Sequence, residues 1–227
     1  MEIFSLAFLS ALGAIIVIDL VLAGDNAIVI ALAARNLPNH LKKKAIIWGT
    51  VGAIVVRSLM TLVVVWLLKI PGLLLAGGAL LLWIAIKLLS DEGGEEGHEG
   101  GTTTFWGAMK TIVIADAVMG LDNVLAVAGA AHGNYLLVVL GLLISIPIVV
   151  WGSNLILKWI ERFPVIVYIG AAVLAGTAVK MLLSEPLIGD YVAAMGFWSY
   201  GMYVLIIGAV LWTGYALKKR AATATAA

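Results

Sequence analysis

The chain has 227 residues, of which 63% are apolar and only 12% charged, and a mean hydropathy of +1.11; no soluble globular domain carries so little charge on its surface. Spanning helices take roughly 20 residues each, so the length holds about seven of them as one transmembrane domain, 1–227, with nothing left for a separate soluble unit. Zero cysteines exclude disulfides, thiolate metal sites and cysteine nucleophiles, and with them the usual chemistry of copper and zinc transport. The near balance of 14 basic and 13 acidic residues carries no signal for nucleic acid, and no such partner is expected.

Apolar runs separated by polar breaks predict spans at 3–34, 45–68, 73–89, 107–131, 136–157, 165–183 and 197–217. The first and fourth exceed the hydrocarbon thickness and carry acids near their middles, which predicts tilted or interrupted helices. Met1-Glu2 lacks a basic leader region, so a removable signal peptide is not expected. If the spans alternate, eleven basic residues (35, 42–44, 87, 110, 158, 162 and 218–220) fall on one side and only Lys69 and Lys180 on the other. This asymmetry predicts a multi-pass protein of the inner (plasma) membrane with its N-terminus outside and its C-terminus in the cytoplasm. The segment 90–104, SDEGGEEGHEGGTTT, is rich in glycine and acid and reads as a cytoplasmic linker. Residues 221–227 read as a disordered tail.

The linker joins two repeats. At an offset of 97, Asp19, Val21, Asp25, Asn26, Ala31, Ala33 and Ala34 match Asp116, Val118, Asp122, Asn123, Ala128, Ala130 and Ala131. At an offset of 93, Pro71, Gly77, Ala79, Leu81, Ala85, Lys87 and Leu89 match Pro164, Gly170, Ala172, Leu174, Ala178, Lys180 and Leu182. Three spans per unit is odd, so the second unit enters from the opposite side. The predicted architecture is an all-α polytopic membrane protein of seven transmembrane helices: an inverted 3+3 repeat (3–89 and 107–183) plus one additional helix (197–217).

The pattern D-x5-D-N occurs twice, as Asp19, Asp25, Asn26 and as Asp116, Asp122, Asn123. Each carboxylate at bilayer depth costs about 3 kcal/mol even on a lenient scale, so a cation must accompany four of them. Six residues along a helix are about 240° of rotation and 9 Å of rise, which points the two acids of one motif apart; a break beside Gly24, and near Gly120, would let them converge. Carboxylate and amide oxygens form a hard site suited to Mg²⁺, Mn²⁺ or Ca²⁺. Met119 lies between the acids of the second motif, where a thioether would favour Mn²⁺; it is also an ordinary packing residue. The competing reading for the acids is structural ion pairing. Arg57, mid-span, is either such a clamp or a tethered counter-ion that occupies the site once the metal has left.

Lys87 and Lys180 sit near helix ends and read as snorkelling to the headgroups. His98 in the linker is a solvated residue or a low-affinity metal sensor; His132 and His40 read as interfacial and loop residues. Ser145, Pro147 and Asn154 offer a kink and polar groups beside the inter-repeat cavity or serve packing, and the eight Trp read as an interfacial belt.

The stretches DLVLAGDNAIVIALAARNLP and ADAVMGLDNVLAVAGAAHGN resemble the TerC family of integral membrane proteins, in its shorter YjbE-like branch, and the likeness covers nearly the whole chain. The family is regarded as exporting Mn²⁺, with links to the metal loading of secreted enzymes and to tellurite resistance, and it resembles the LysE-type exporters more distantly. The resemblance implies that Asp19, Asp25, Asp116 and Asp122 are transport acids, with Asn26 and Asn123 beside them. The expected function is therefore export of Mn²⁺, as cargo rather than cofactor, by alternating access. Proton return would supply the drive, since no P-loop is present. The rivals are another cargo (Ca²⁺ or an organic cation) and a membrane scaffold that hands metal to exported metalloenzymes. Expected partners are the lipid bilayer and the divalent ion, with a homo-oligomer as a further option. No enzymatic activity is expected, because no Ser-His or Cys-His pair and no HExxH motif occurs.

Overall fold

Long apolar runs can satisfy their backbone in lipid only as helices or closed barrels, and a leucine- and alanine-rich composition selects helix. The computed structural model describes residues 5–67, 70–90, 104–131 and 134–225, without the side chains of 21–23, 64–65, 122, 125–126, 128, 193 and 220–225. It is all-α, with no strand among the described residues. The helices are α1 (Leu6–Ala34), α2 (Asn39–Leu67), α3 (Leu73–Ser90), α4 (Phe105–Ala131), α5 (Tyr135–Arg162), α6 (Val165–Leu183), the short α7 (Gly189–Met195) and α8 (Ser199–Thr225).

Among the described residues, five helices are long and apolar enough to cross a membrane, or six if α1 is counted across its bend. The sequence pattern predicts seven; α4, which carries Asp116 and Asp122, is the predicted span outside that number. The bend in α1 is 48° between Leu6–Leu20 and Gly24–Ala34, beside the glycine where an interruption is expected. Gly120 lies inside α4, which is one continuous helix. Two boundaries also differ. Helix α2 starts at Asn39 and takes in the basic turn, where Lys42 pairs with Glu161 of α5 at 2.6 Å. Helix α8 runs on to Thr225, through residues expected to be disordered, because its alanine-rich end propagates a helix already formed. The linker from 91 to 103, including His98, and His132 and Lys69 lie outside the described residues.

The helix pairing is reciprocal. Helix α1 packs along α5 as α4 packs along α2; α1 touches α6 as α4 touches α3; α1 meets α4, α3 meets α6, and α8 leans on both α3 and α6. Exchanging α1–α3 with α4–α6 leaves these pairs unchanged. The close approaches obey the same exchange. A Cβ on Gly49 of α2 would fall 2.8 Å from Ile112 Cδ1 of α4, and one on Gly141 of α5 would run into Ile15 of α1. Ile15 and Ile112 are 97 positions apart, the offset that relates the two Asp motifs, and Gly49 and Gly141 are 92 apart. Small residues at such crossings let helices approach within van der Waals range, the main source of association in lipid.

At the far end of α3 from the linker, a buried acid ties two elements together. Glu185, 2% exposed, follows α6 and accepts hydrogen bonds from the backbone N–H groups of Gly72 (3.1 Å), Leu74 (3.1 Å) and Leu75 (3.4 Å) at the start of α3. Burial works against its charge, but the N–H groups of Gly72, Leu187, Leu75 and Leu74 prevail and hold its carboxyl below the ordinary value of 4.5. A depressed pKa stabilises the fold above the ordinary glutamate range, and that stabilisation is lost as pH falls through the folded value. Glu185→Gln is therefore expected to lower the melting temperature of the detergent-solubilised protein at neutral pH. The gap from wild type should close below about pH 4.5; a gap that stays constant across acid pH contradicts the latch.

Candidate functional site

Acids that the apolar pattern places mid-helix must find a partner inside the bundle, and Arg57 of α2 supplies it. Its Nη1 donates to Asp19 Oδ1 of α1 at 2.6 Å, and its Nη2 donates to Asp116 Oδ1 of α4. All three are buried: Asp19 is 3% exposed, Arg57 4% and Asp116 7%. One guanidinium thus joins equivalent carboxylates of the two repeats. Its flank lies beside Gly120, where a Cβ would sit 3.5 Å from Nε in ordinary contact; α4 runs through this glycine unbroken.

A cavity of about 20 Å³ adjoins the bridge, lined by Asp19, Asn26, Thr50, Arg57, Asp116 and Ser145 together with apolar side chains. That is space for about one water or one bare ion. Several polar atoms around it have no hydrogen-bond partner among the described residues: both Asn26 side-chain atoms, Thr50 Oγ1, Arg57 Nε and Asp116 Oδ2. Unpaired buried polar atoms are costly, and their grouping on one cavity lines it with groups able to bond a water or an ion.

The remaining candidates are placed differently. Asp25 is half-buried and turned to α6, its Oδ1 accepting from Asn26 N at 2.9 Å and its Oδ2 from Thr177 Oγ1 at 3.5 Å. It shares no hydrogen-bond partner with Asp19, as the helical spacing predicts. Asn123 is buried at 8% exposure on α4 but is not part of the cavity lining. Met119 packs in the apolar core. The Asp122 side chain lies outside the described residues. Among the described residues, no three His, Cys, Asp or Glu stand close enough to hold a metal ion together; with Arg57 between them, Asp19 and Asp116 are engaged with a guanidinium.

The chain matches the model of the integral membrane protein TerC family over residues 4–222. It belongs to that family. The uncharacterized membrane protein YjbE of Bacillus subtilis (strain 168) is 43% identical over 189 residues, covering 83% of this chain and 86% of that protein. The UPF0053 inner membrane protein YgdQ of Escherichia coli (strain K12) is 26% identical over 171 residues, covering 68% and 72%. The UPF0053 protein YegH of the same organism is 28% identical over 174 residues, covering 67% of this chain and 32% of that protein. No solved structure matches. This TerC-family chain is accordingly an integral membrane protein with several apolar helices.

Sequence reasoning missed two residues of the site. Thr50 and Thr177 stand in apolar helices where threonine usually packs or bonds back to its own helix, and only contacts between helices reveal them. The signal available for Thr50 was its place two turns from Arg57 on the same face. Breaking one arm of a buried pair leaves an uncompensated charge. A double-mutant cycle of Arg57→Gln with Asp116→Asn, followed by unfolding in detergent, is expected to show a coupling of about 1–3 kcal/mol, and the cycle with Asp19→Asn a similar one. Couplings near zero in both contradict the bridge.

Proposed function

We propose that this TerC-family chain is a secondary transporter that exports a divalent cation from the cytoplasm, with Mn²⁺ as first cargo. The observation that carries the reading is the meeting of Asp19 and Asp116, one from each repeat, with the unpartnered Asn26 on a small cavity deep in the helix bundle. Two carboxylates and an amide oxygen are hard donors, and their two negative charges match one divalent ion. Asp25, Asn123 and Asp122 are the further polar residues of the two motifs that the cargo would use on its way. The reciprocal helix packing supports an inverted repeat, in which the cargo sits between the halves and each half closes one side in turn. In the orientation expected from the basic residues, the ends that carry Arg35, Lys42 and Lys87 face the cytoplasm of the cell and the protein lies in its inner membrane. A proton returning on a vacated carboxylate provides the driving force.

Purified protein in liposomes loaded with a Mn²⁺-sensitive dye is expected to take up Mn²⁺ when an outward-directed proton gradient (acid inside) is imposed. Asp116→Asn and Asp122→Asn should each cut the rate by at least about tenfold, since each removes a charge that the cargo needs. Absence of flux through correctly inserted wild-type protein would instead favour a scaffold that hands metal to a partner. Flux of Ca²⁺ with no response to Mn²⁺ would change the cargo.

A further inference from the structure

The bridge made by Arg57 does what a bound metal would do: it is a single positive charge held between the two carboxylates that the repeats bring together. Three features separate it from a clamp that merely holds helices. First, it is incompletely satisfied. Among the described residues Arg57 Nε and Asp116 Oδ2 have no hydrogen-bond partner, and neither do the two polar atoms of Asn26 beside them, whereas a permanent buried ion pair is retained only when its remaining donors and acceptors are met.

Second, the bridge is asymmetric on a symmetric frame. Asp19 and Asp116 are equivalent at an offset of 97. At the offset of 92 that pairs Gly49 with Gly141, the counterpart of Arg57 on α5 is Val149, which lines the same cavity. One half supplies both acids' cation, and the other presents an apolar side chain to it. Third, the charges do not balance: one guanidinium against two carboxylates leaves one negative charge over, while a divalent ion in its place leaves none.

We infer that Arg57 is a tethered counter-ion that competes with the cargo for Asp19 and Asp116, so that the carrier without cargo still holds its halves together and can change sides. This rests on the transport reading above. Cargo and guanidinium need the same oxygens, so binding of one releases the other. The guanidinium lies beside Gly120, within ordinary contact distance of the position a Cβ would take there. A carrier that brings its own cation needs a returning proton on only one of its two acids to change sides without cargo; one without it must protonate both or swap bound cargo for cargo.

The test uses the full chain, purified and reconstituted, with Mn²⁺ as the probe. Arg57→Gln is expected to bind Mn²⁺ about tenfold more tightly, the factor gained when a competitor that occupies about nine-tenths of the sites is removed. The same variant should exchange internal for external Mn²⁺ while net flux into Mn²⁺-free liposomes falls at least about tenfold, a split between two readouts that follows from the loss of empty return. Arg57→Lys keeps the charge without the two-pronged geometry; it should restore part of the net flux and show an intermediate affinity. It also stands in if the glutamine variant does not insert. Arg57→Gln or Arg57→Lys protein that melts cooperatively yet binds Mn²⁺ more weakly than wild type, or loses exchange and net flux together, overturns the counter-ion. Wild-type protein that neither binds nor moves Mn²⁺ overturns the transport reading beneath it, an outcome visible before any variant is made.

Discussion

A carboxylate inside a bilayer has lost its water, and the protein must give it back an equivalent in fixed charge or hydrogen bonds. In this chain the equivalent is one guanidinium held between Asp19 and Asp116. Much of the central packing follows from that need. Helices α1 and α4 each bring an acid to the middle of the bundle, α2 reaches both with Arg57, and the close approach of α2 to α4 is made possible at Gly49 and Gly52. The bridge therefore ties α1, α2 and α4 together, and in the proposed function it is the feature that yields to the cation.

The reciprocity of the packing gives the site its character. Helix pairs, small-residue crossings and buried positions recur between α1 and α4 and between α2 and α5, so the centre of the bundle has nearly the same walls on both sides. Three departures in residue type between α2 and α5 lie at the cavity itself: Thr50 against Leu142, Ala53 against Ser145, and Arg57 against Val149. In the proposed function, walls alike on both sides suit a cargo that is approached from either face in turn.

Fold class and the membrane setting were legible because both rest on local pattern: apolar runs of spanning length. A break beside Gly24 was expected to let Asp19 and Asp25 converge; α1 bends there, yet Asp19 meets Arg57 and Asp25 meets Thr177. What interactions between helices decide was not legible. Arg57 had two candidate roles, clamp and counter-ion, and only the packing of helices shows that its partners come one from each Asp motif. Gly120 read as a break because glycine in a helix usually signals one, yet α4 runs through it unbroken. Met119 is a core residue, and Glu185, overlooked as a loop acid, fastens the start of α3. Each of these depends on which face a helix turns to its neighbour, a property that periodicity leaves open when every face is apolar.

The most direct measurement is diffraction from crystals soaked in Mn²⁺, recorded at a wavelength where manganese scatters anomalously. The expected result is a peak between the carboxylates of Asp19 and Asp116, with Asn26 turned to it and the Arg57 guanidinium withdrawn. Arg57 still joined to both acids at saturating Mn²⁺, with the metal absent or bound elsewhere, would contradict a cation site at the meeting of the two repeats.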